Sequence, residues 1–378
     1  MPESDPADAR LIIADSETDA DLFYATRFLA PDPFVFLQTD AEKVLLMSDL
    51  ELDRARSQAE VDTVASLSQY QELARKGGVD EPSLLDALRQ LLQERSIRSL
   101  LVPRSFPLSA ADDLREAGYS LTCPSGSFYP ERERKDATEV GHIREVQRHT
   151  ERAMDLAVAA IREARIQDGG LYGPPGPLTA ENVKHLIAVS LMERECTARN
   201  TIVACGDQAC DPHNRGSGPL RAGECIVIDI FPRSDRTGYC ADITRTVVRG
   251  IPSAEAVRLY DTVLAGQELA LQQIAAGRHG KEIHQAVVDL FEEAGYPSGE
   301  REGRMQGFFH GTGHGLGLEI HEPPRISKSD AVLAEGHVVT VEPGLYYPGR
   351  GAVRIEDLVV VTKGGCENLT SYPKEFQL

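Results

Sequence analysis

Residues 225–248 read CIVIDIFPRSDRTGYCADITRTVV, and the two acids in this stretch, Asp229 and Asp242, govern the reading of the rest of the chain. The β-branched runs at either end predict two strands, and the polar segment 233–238 predicts the turn between them. Aspartate is depleted in strands, and a buried carboxylate without a partner is costly. A turn centred near Asp235 and Arg236 sets Asp229 opposite Asp242. Two carboxylates so close repel each other unless one is protonated or a cation lies between them. The bland alternative pairs one acid with Arg245 and turns the other to solvent.

A second stretch repeats the pattern. Residues 337–361 read HVVTVEPGLYYPGRGAVRIEDLVVV. Gly349, at the predicted turn tip, lies midway between Glu342 and Glu356, so these acids also face each other. The two acid pairs are spanned by nearly the same length of chain. One motif shown twice suggests two pseudo-symmetric halves around a single site. Four inward acids carry four negative charges, which two divalent cations would balance.

Between the hairpins lies FFHGTGHGLGLEIHEPPR, residues 308–325. Glycines at 311, 313, 315 and 317 allow close approach of backbone and ion. An imidazole on such a segment is a credible ligand, and one nitrogen among carboxylates suits Mn, Fe, Co or Zn better than Mg or Ca. His213 precedes the first hairpin and His321 the second, so each half offers a histidine upstream of its acid pair. Other signals carry less. His321-Glu-Pro-Pro lacks the second histidine and the helix of a zincin motif. Cys205, Cys210 and His213 lack a fourth ligand at finger spacing. No G-x-S-x-G elbow occurs. His142, His149, His185, His279, His284 and His337 are expected to be ordinary surface or core residues.

Working outward, the chain has 378 residues, of which 41% are hydrophobic and 26% charged, which fits a globular protein of two domains. No apolar run reaches the length of a spanning helix. The net charge of −19 leaves no electrostatic footprint for nucleic acid or an anionic membrane. The start, MPESDPADAR, lacks a secretory pattern, and the seven cysteines are odd in number and spread out. Both point to a cytoplasmic protein with reduced thiols. Residues 1–130 alternate apolar runs (34–37, 43–47, 99–102) with helical stretches such as 83–95, an α/β pattern. The polar stretch 131–140 is expected to be a linker. From about Thr138 a long helix is predicted, capped by Asp136 or Thr138. A loop over 169–177 follows, then helices near 180–194 and 254–276 among strands, so 141–378 reads as α+β.

These motifs resemble the metallopeptidase family with the pita-bread fold, which includes prolidases, Xaa-Pro aminopeptidases, methionine aminopeptidases and creatinase. The matching stretches are Ile202-Val-Ala-Cys-Gly with His213, the two hairpins, and His310-Gly-Thr-Gly-His314 through His321-Glu. The resemblance implies a smaller α/β N-terminal domain followed by a C-terminal pita-bread domain with pseudo-twofold halves. It implies Asp229, Asp242, His314, Glu342 and Glu356 as ligands of two divalent ions, most simply Mn2+ (or Co2+, Zn2+, Fe2+), with Asp242 and Glu356 bridging. Arg354 would orient Glu356 from behind. Glu342 would take the proton of a metal-bridging water, and the resulting hydroxide would attack the scissile carbonyl. His321 would contact the oxyanion and His213 the scissile amide, while His310 and Arg325 would contact substrate. The substrate would be a small peptide with proline in second position, and the assembly a homodimer. A methionine aminopeptidase-like or creatinase-like hydrolase, or a non-catalytic binding protein on the same fold, is the alternative. Phe231-Pro232 departs from the small residues usual in the first turn.

Overall fold

The strand Phe34–Gln38 sets Phe36 opposite Ile12 on one side and opposite Leu45 on the other. Around it the computed structural model, which describes residues 7–174 and 176–378, builds a six-stranded sheet. Its order is Thr63–Ser66, Lys43–Met47, Phe34–Gln38, Ala9–Ala14, Ser99–Leu101, Ser120–Thr122. Val35, Leu37, Val44 and Leu46 pack on one face with Leu88 and Leu91. Phe34, Phe36, Leu45 and Met47 pack on the other with Leu22 and Phe28. Burial on both faces explains why these strands read as continuous apolar runs. The helix Leu84–Glu94 starts at Ser83, whose side chain and that of Asp86 cap each other's backbone. The chain divides into two compact units between Pro130 and Glu131, and none of the predicted site residues lies in the first. The first six residues, which hold much of the acidic start, and Pro175 lie outside the described residues.

In the second unit, Asp136 caps the helix Ala137–Glu163, with Glu139 reaching back to close the box. Pro130–Glu133 forms a 3-10 turn and Lys135 is buried. The stretch 131–140 is therefore not a free linker: its Asp-x-x-Glu sequence is a helix start. Two similar halves follow. In the first, Ala137–Glu163 and Ala180–Met192 cover the antiparallel strands Ile202–Cys205, Ile226–Ile230 and Ile243–Val247, around Ile161, Ile187 and Ile228. In the second, Ala254–Gln273 and Gly280–Glu293 cover a five-stranded sheet that includes Gly313–Gly315, Val338–Val341 and Asp357–Thr362, around Val263, Val287 and Val359. The helix Gly280–Glu293 was absent from the sequence reading, although Ile283, Val287 and Phe291 repeat at helical spacing and are buried. The expected loop 169–177 instead carries short strands, Gly170–Gly173 pairing with Arg165–Gln167 and Gly176–Pro177.

The two acid hairpins differ in register. In the second, Val341 lies opposite Asp357 and Gly344 opposite Arg354, so one register runs through the break where Glu342 and Glu356 face each other. In the first, Asp229 lies opposite Thr244, not Asp242. The connection has its own structure: Arg233–Ser234 pairs with Cys196–Thr197, and Ala241 donates to the carbonyl of Pro232. Proline has no amide to extend the ladder, so it is interrupted after Ile230 and Ile243, and the same register resumes where Arg233 lies opposite Cys240, which centres the turn between Arg236 and Thr237. Asp242 still shares a face with Asp229, because Thr244 and Asp242 are two residues apart.

Candidate metal centre

The hairpins meet where Glu356 N–H donates to Thr244 O at 3.0 Å and Thr246 Oγ donates to Arg354 O at 2.9 Å. Asp229, Asp242, Glu342 and Glu356 converge there with His314. Gly313 makes the last of these positions reachable: a Cβ on it would stand 1.9 Å from the carbonyl oxygen of Thr340. A bulge between His314 and Gly315 then re-aims the chain. All these side chains, with His213, His310, His321, Arg325 and Arg354, line one cavity of about 750 Å3.

The donor set is that of a cation site. One ligand atom each from Asp242, His314 and Glu356 lies within 4.8 Å of the others. Asp229 Oδ1, Asp242 Oδ1 and Glu356 Oε1 are buried and have no hydrogen-bond partner. His314 Nδ1–H donates to Gly315 O at 3.1 Å, which leaves the Nε2 lone pair facing Glu342 Oε1 at 3.2 Å and Asp242 Oδ2 at 3.9 Å. Acceptors thus point at acceptors, an arrangement that a divalent cation relieves. Burial, followed by the charges of Glu356, Asp229 and Glu342, pushes the Asp242 carboxyl well above the ordinary aspartate range. Burial, then Glu342 and Asp229, does the same to Glu356. Burial also raises Glu342 and drives His314 down to about 4. The residues fit a hard or borderline metal held by oxygen and imidazole.

Arg354 acts differently from its expected role. Its Nη2 donates to Asp229 Oδ2 at 2.6 Å, so it braces the first hairpin's acid rather than Glu356. It reaches Glu356 only through Thr244, whose hydroxyl accepts from Arg354 Nε at 3.2 Å and donates to Glu356 Oε2 at 2.8 Å. The sequence reading missed Thr244, and it missed Tyr346. Arg354 Nη1 donates to Tyr346 OH at 3.0 Å, so that hydroxyl donates its own proton to His310 Nε2 at 2.9 Å. His310 Nδ1–H is spent on Gly311 O at 2.8 Å. Both ring nitrogens of His310 are engaged, and burial holds its pKa down at about 4, so it faces the cavity as a neutral wall. The His321 ring stands edge-on to His314 with centroids 4.4 Å apart, and the cavity wall, His314, Arg325 and His213 press its pKa to about 4. His213 and Arg325 are exposed at the cavity. Neither Tyr346, which has Tyr347 beside it, nor Thr244 carries a sequence signal of its own.

A helix pair on an antiparallel sheet, occurring twice around a carboxylate and histidine cluster, defines the pita-bread class of metallohydrolase folds. The chain belongs to metallopeptidase family M24, whose model matches residues 141–363. It is 38% identical over 199 residues to an Xaa-Pro dipeptidase of Pyrococcus furiosus, covering 52% of this chain and 54% of that one. The match therefore spans about half the length of that curated relative. Among solved structures, an X-Pro aminopeptidase from Thermotoga maritima superposes with a TM-score of 0.81 at 27% identity, covering 98% of both chains. An Xaa-Pro dipeptidase from Bacillus anthracis gives 0.82 at 26% identity, covering 98% of this chain and 95% of that one.

Proposed function

We propose that the protein is a metal-dependent exopeptidase that hydrolyses the bond before proline in Xaa-Pro peptides. The observation that carries this reading is the gathering of ligand atoms of Asp242, Glu356 and His314 within 4.8 Å of one another, where buried oxygens of Asp229, Asp242 and Glu356 have no hydrogen-bond partner. Asp229, Asp242, His314, Glu342 and Glu356 would hold two divalent ions, with Mn2+ the first choice, and Asp242 and Glu356 shared between them. Those ions supply a water ionised near neutral pH and a Lewis acid for the scissile carbonyl. The protein does the rest. Glu342 would give one oxygen to a metal and keep the other to hold the proton released on attack. His321, neutral beside His314, donates a hydrogen bond to the developing oxyanion. His213, at the cavity mouth, meets the scissile amide nitrogen, which in an Xaa-Pro bond is tertiary and must be protonated to leave. The flat His310 wall borders the proline ring, and Arg325 receives a terminal carboxylate. Net negative charge and seven free thiols suit a cytoplasmic enzyme, and a homodimer is the assembly the family resemblance suggests.

The test is hydrolysis of Ala-Pro and Ala-Pro-Ala, with and without EDTA and added Mn2+. Turnover that EDTA removes and Mn2+ restores is the expected result. Cleavage of the dipeptide alone identifies a dipeptidase, and cleavage of both an aminopeptidase. Loss of neither substrate under any metal condition sinks the reading.

A further inference from the structure

Behind His321 lies a buried ion cluster that takes no part in the centre. The Glu322 side chain is 4% exposed and that of Lys135 is 1% exposed. Lys135 Nζ donates to Glu322 Oε2 at 2.8 Å, and Arg132 Nη2 to Oε1 at 2.6 Å. Oε1 also accepts the Glu319 backbone N–H at 3.0 Å, and Gly317 N–H donates to Glu319 O at 3.1 Å. The segment joining His314 to His321 is thus wound around a single carboxylate. Gly317 shows how tightly: a Cβ there would stand 2.7 Å from Glu322 Oε2 and 2.8 Å from Lys135 Cε. The outer side of the same turn is tied down as well, with Cys240 N–H donating to Gly317 O at 2.8 Å. Lys135 is anchored in turn by its own N–H, which donates to Gly336 O at 2.8 Å.

Buried ion clusters of this kind are weak devices for stability, because desolvation offsets much of the attraction. They do fix geometry, since both carboxylate oxygens are committed to donors from defined directions. We propose that Lys135 and Glu322 are positioning residues for His321, holding its imidazole at the reacting carbonyl by fixing the turn 317–321. The catalytic part of this proposal rests on the peptidase reading; the structural part does not. The two cationic partners come from the stretch just before the helix cap at Asp136, where the sequence showed only a polar linker.

The test compares Lys135→Met, His321→Ala and the double variant on Ala-Pro with Mn2+. A misplaced catalytic group costs about 100-fold, so Lys135→Met is expected to lower kcat by that order while KM stays within about 3-fold. In the His321→Ala background it is expected to add nothing, as coupled residues behave. Losses that multiply in the double variant would overturn the proposal. Removing Lys135 alone leaves the Glu322 charge buried and under-paired, so Lys135→Met/Glu322→Gln is run beside it; wild-type kcat in that variant also overturns the proposal. Amide exchange gives an arm without turnover. Faster exchange confined to Gly317 and Glu319 in Lys135→Met supports the positioning role, and unchanged exchange refutes it. That arm stands even if the wild type cuts no Xaa-Pro peptide, an outcome that would sink the peptidase reading alone.

Discussion

The two hairpins bring an acid pair to the same place by different means. In the second, one register pairs Val338–Val341 with Asp357–Val360 and Gly344–Tyr347 with Gly351–Arg354, so Glu342 and Glu356 share a position at the break between the two ladders. In the first, the ladder is interrupted after Ile230 and Ile243 and resumes in the same register at Arg233 and Cys240, which sets Asp229 opposite Thr244 and leaves Asp242 two positions further on, and Asp229 is held by the guanidinium of Arg354 from the other hairpin. The acids of the second hairpin share one register position, and those of the first lie two positions apart on one face, with bonds between the hairpins bracing both. A pseudo-symmetric site can therefore keep its ligands while its two hairpins differ in where the turn falls.

The comparison breaks most visibly at Glu342. Glu342→Gln keeps the hairpin and its hydrogen-bond capacity but removes the proton acceptor. A drop in kcat of about 10³-fold on Ala-Pro is expected, within the range for general acid–base groups, with an unchanged circular dichroism spectrum. Retained wild-type kcat would remove Glu342 from that role.

Arg354→Met separates the hairpins. Asp229 loses its cation while the backbone pairing on either side of Glu342 and Glu356 is kept. A loss of about 10- to 100-fold in Mn2+ affinity is expected, the usual cost of removing a ligand's outer partner. Calorimetric titration measures it. Equal affinity in wild type and variant would mean that the first hairpin holds Asp229 unaided.

Asp242→Asn sharpens the point from the side of stability. In the metal-free protein Asp242 is crowded by Glu356, Asp229 and Glu342, so removing its charge relieves repulsion. The apo variant is expected to melt higher, by about 2–4 °C for each kcal/mol relieved, while the rise that Mn2+ gives the wild type disappears. A lower apo melting temperature would show that Asp242 is held by contacts other than ion binding.

The hairpins also show how much the sequence disclosed. The second could be drawn from spacing alone, because nothing but a turn separates its strands. The first could not: the expected turn is centred near Asp235 and Arg236, the register places it between Arg236 and Thr237, and Arg233–Ser234 pairs on its other side with Cys196–Thr197, far away in sequence. The same holds for side chains. His314 was marked by its glycine neighbours, and acids inside apolar strands mark themselves. Thr244 joins the site through hydrogen bonds that depend on how the halves meet, and Tyr346 through bonds to His310 and Arg354 within the second half, which no local pattern encodes. Lys135 and Arg132 looked like solvated charges because their partner, Glu322, is nearly two hundred residues away. The helix Gly280–Glu293 was legible in its periodicity and was overlooked among the surrounding strands.

The smallest expected effect concerns the acid sensitivity of the second half. His284 lies beneath its sheet, 3% exposed, with Nδ1 3.0 Å from Thr312 Oγ and its ring against Phe308. Burial, helped by Lys328, lowers its pKa to about 4 from the ordinary histidine value of 6.5. Between those two values the unfolded chain binds a proton that the folded protein refuses. The stability associated with neutral His284 is therefore complete above pH 6.5, declines as pH falls, and is fully lost below 4. At pH 5 the loss amounts to about 2 kcal/mol. His284→Gln, which keeps a neutral hydrogen-bonding group but cannot titrate, should narrow its stability gap to the wild type by that amount between pH 7 and pH 5 in urea unfolding of the metal-free protein. The difference between proteins is the informative quantity, because Asp242 and Glu356 titrate with opposite sign in both. A gap that does not change with pH would mean that His284 is reached by water and protonates freely.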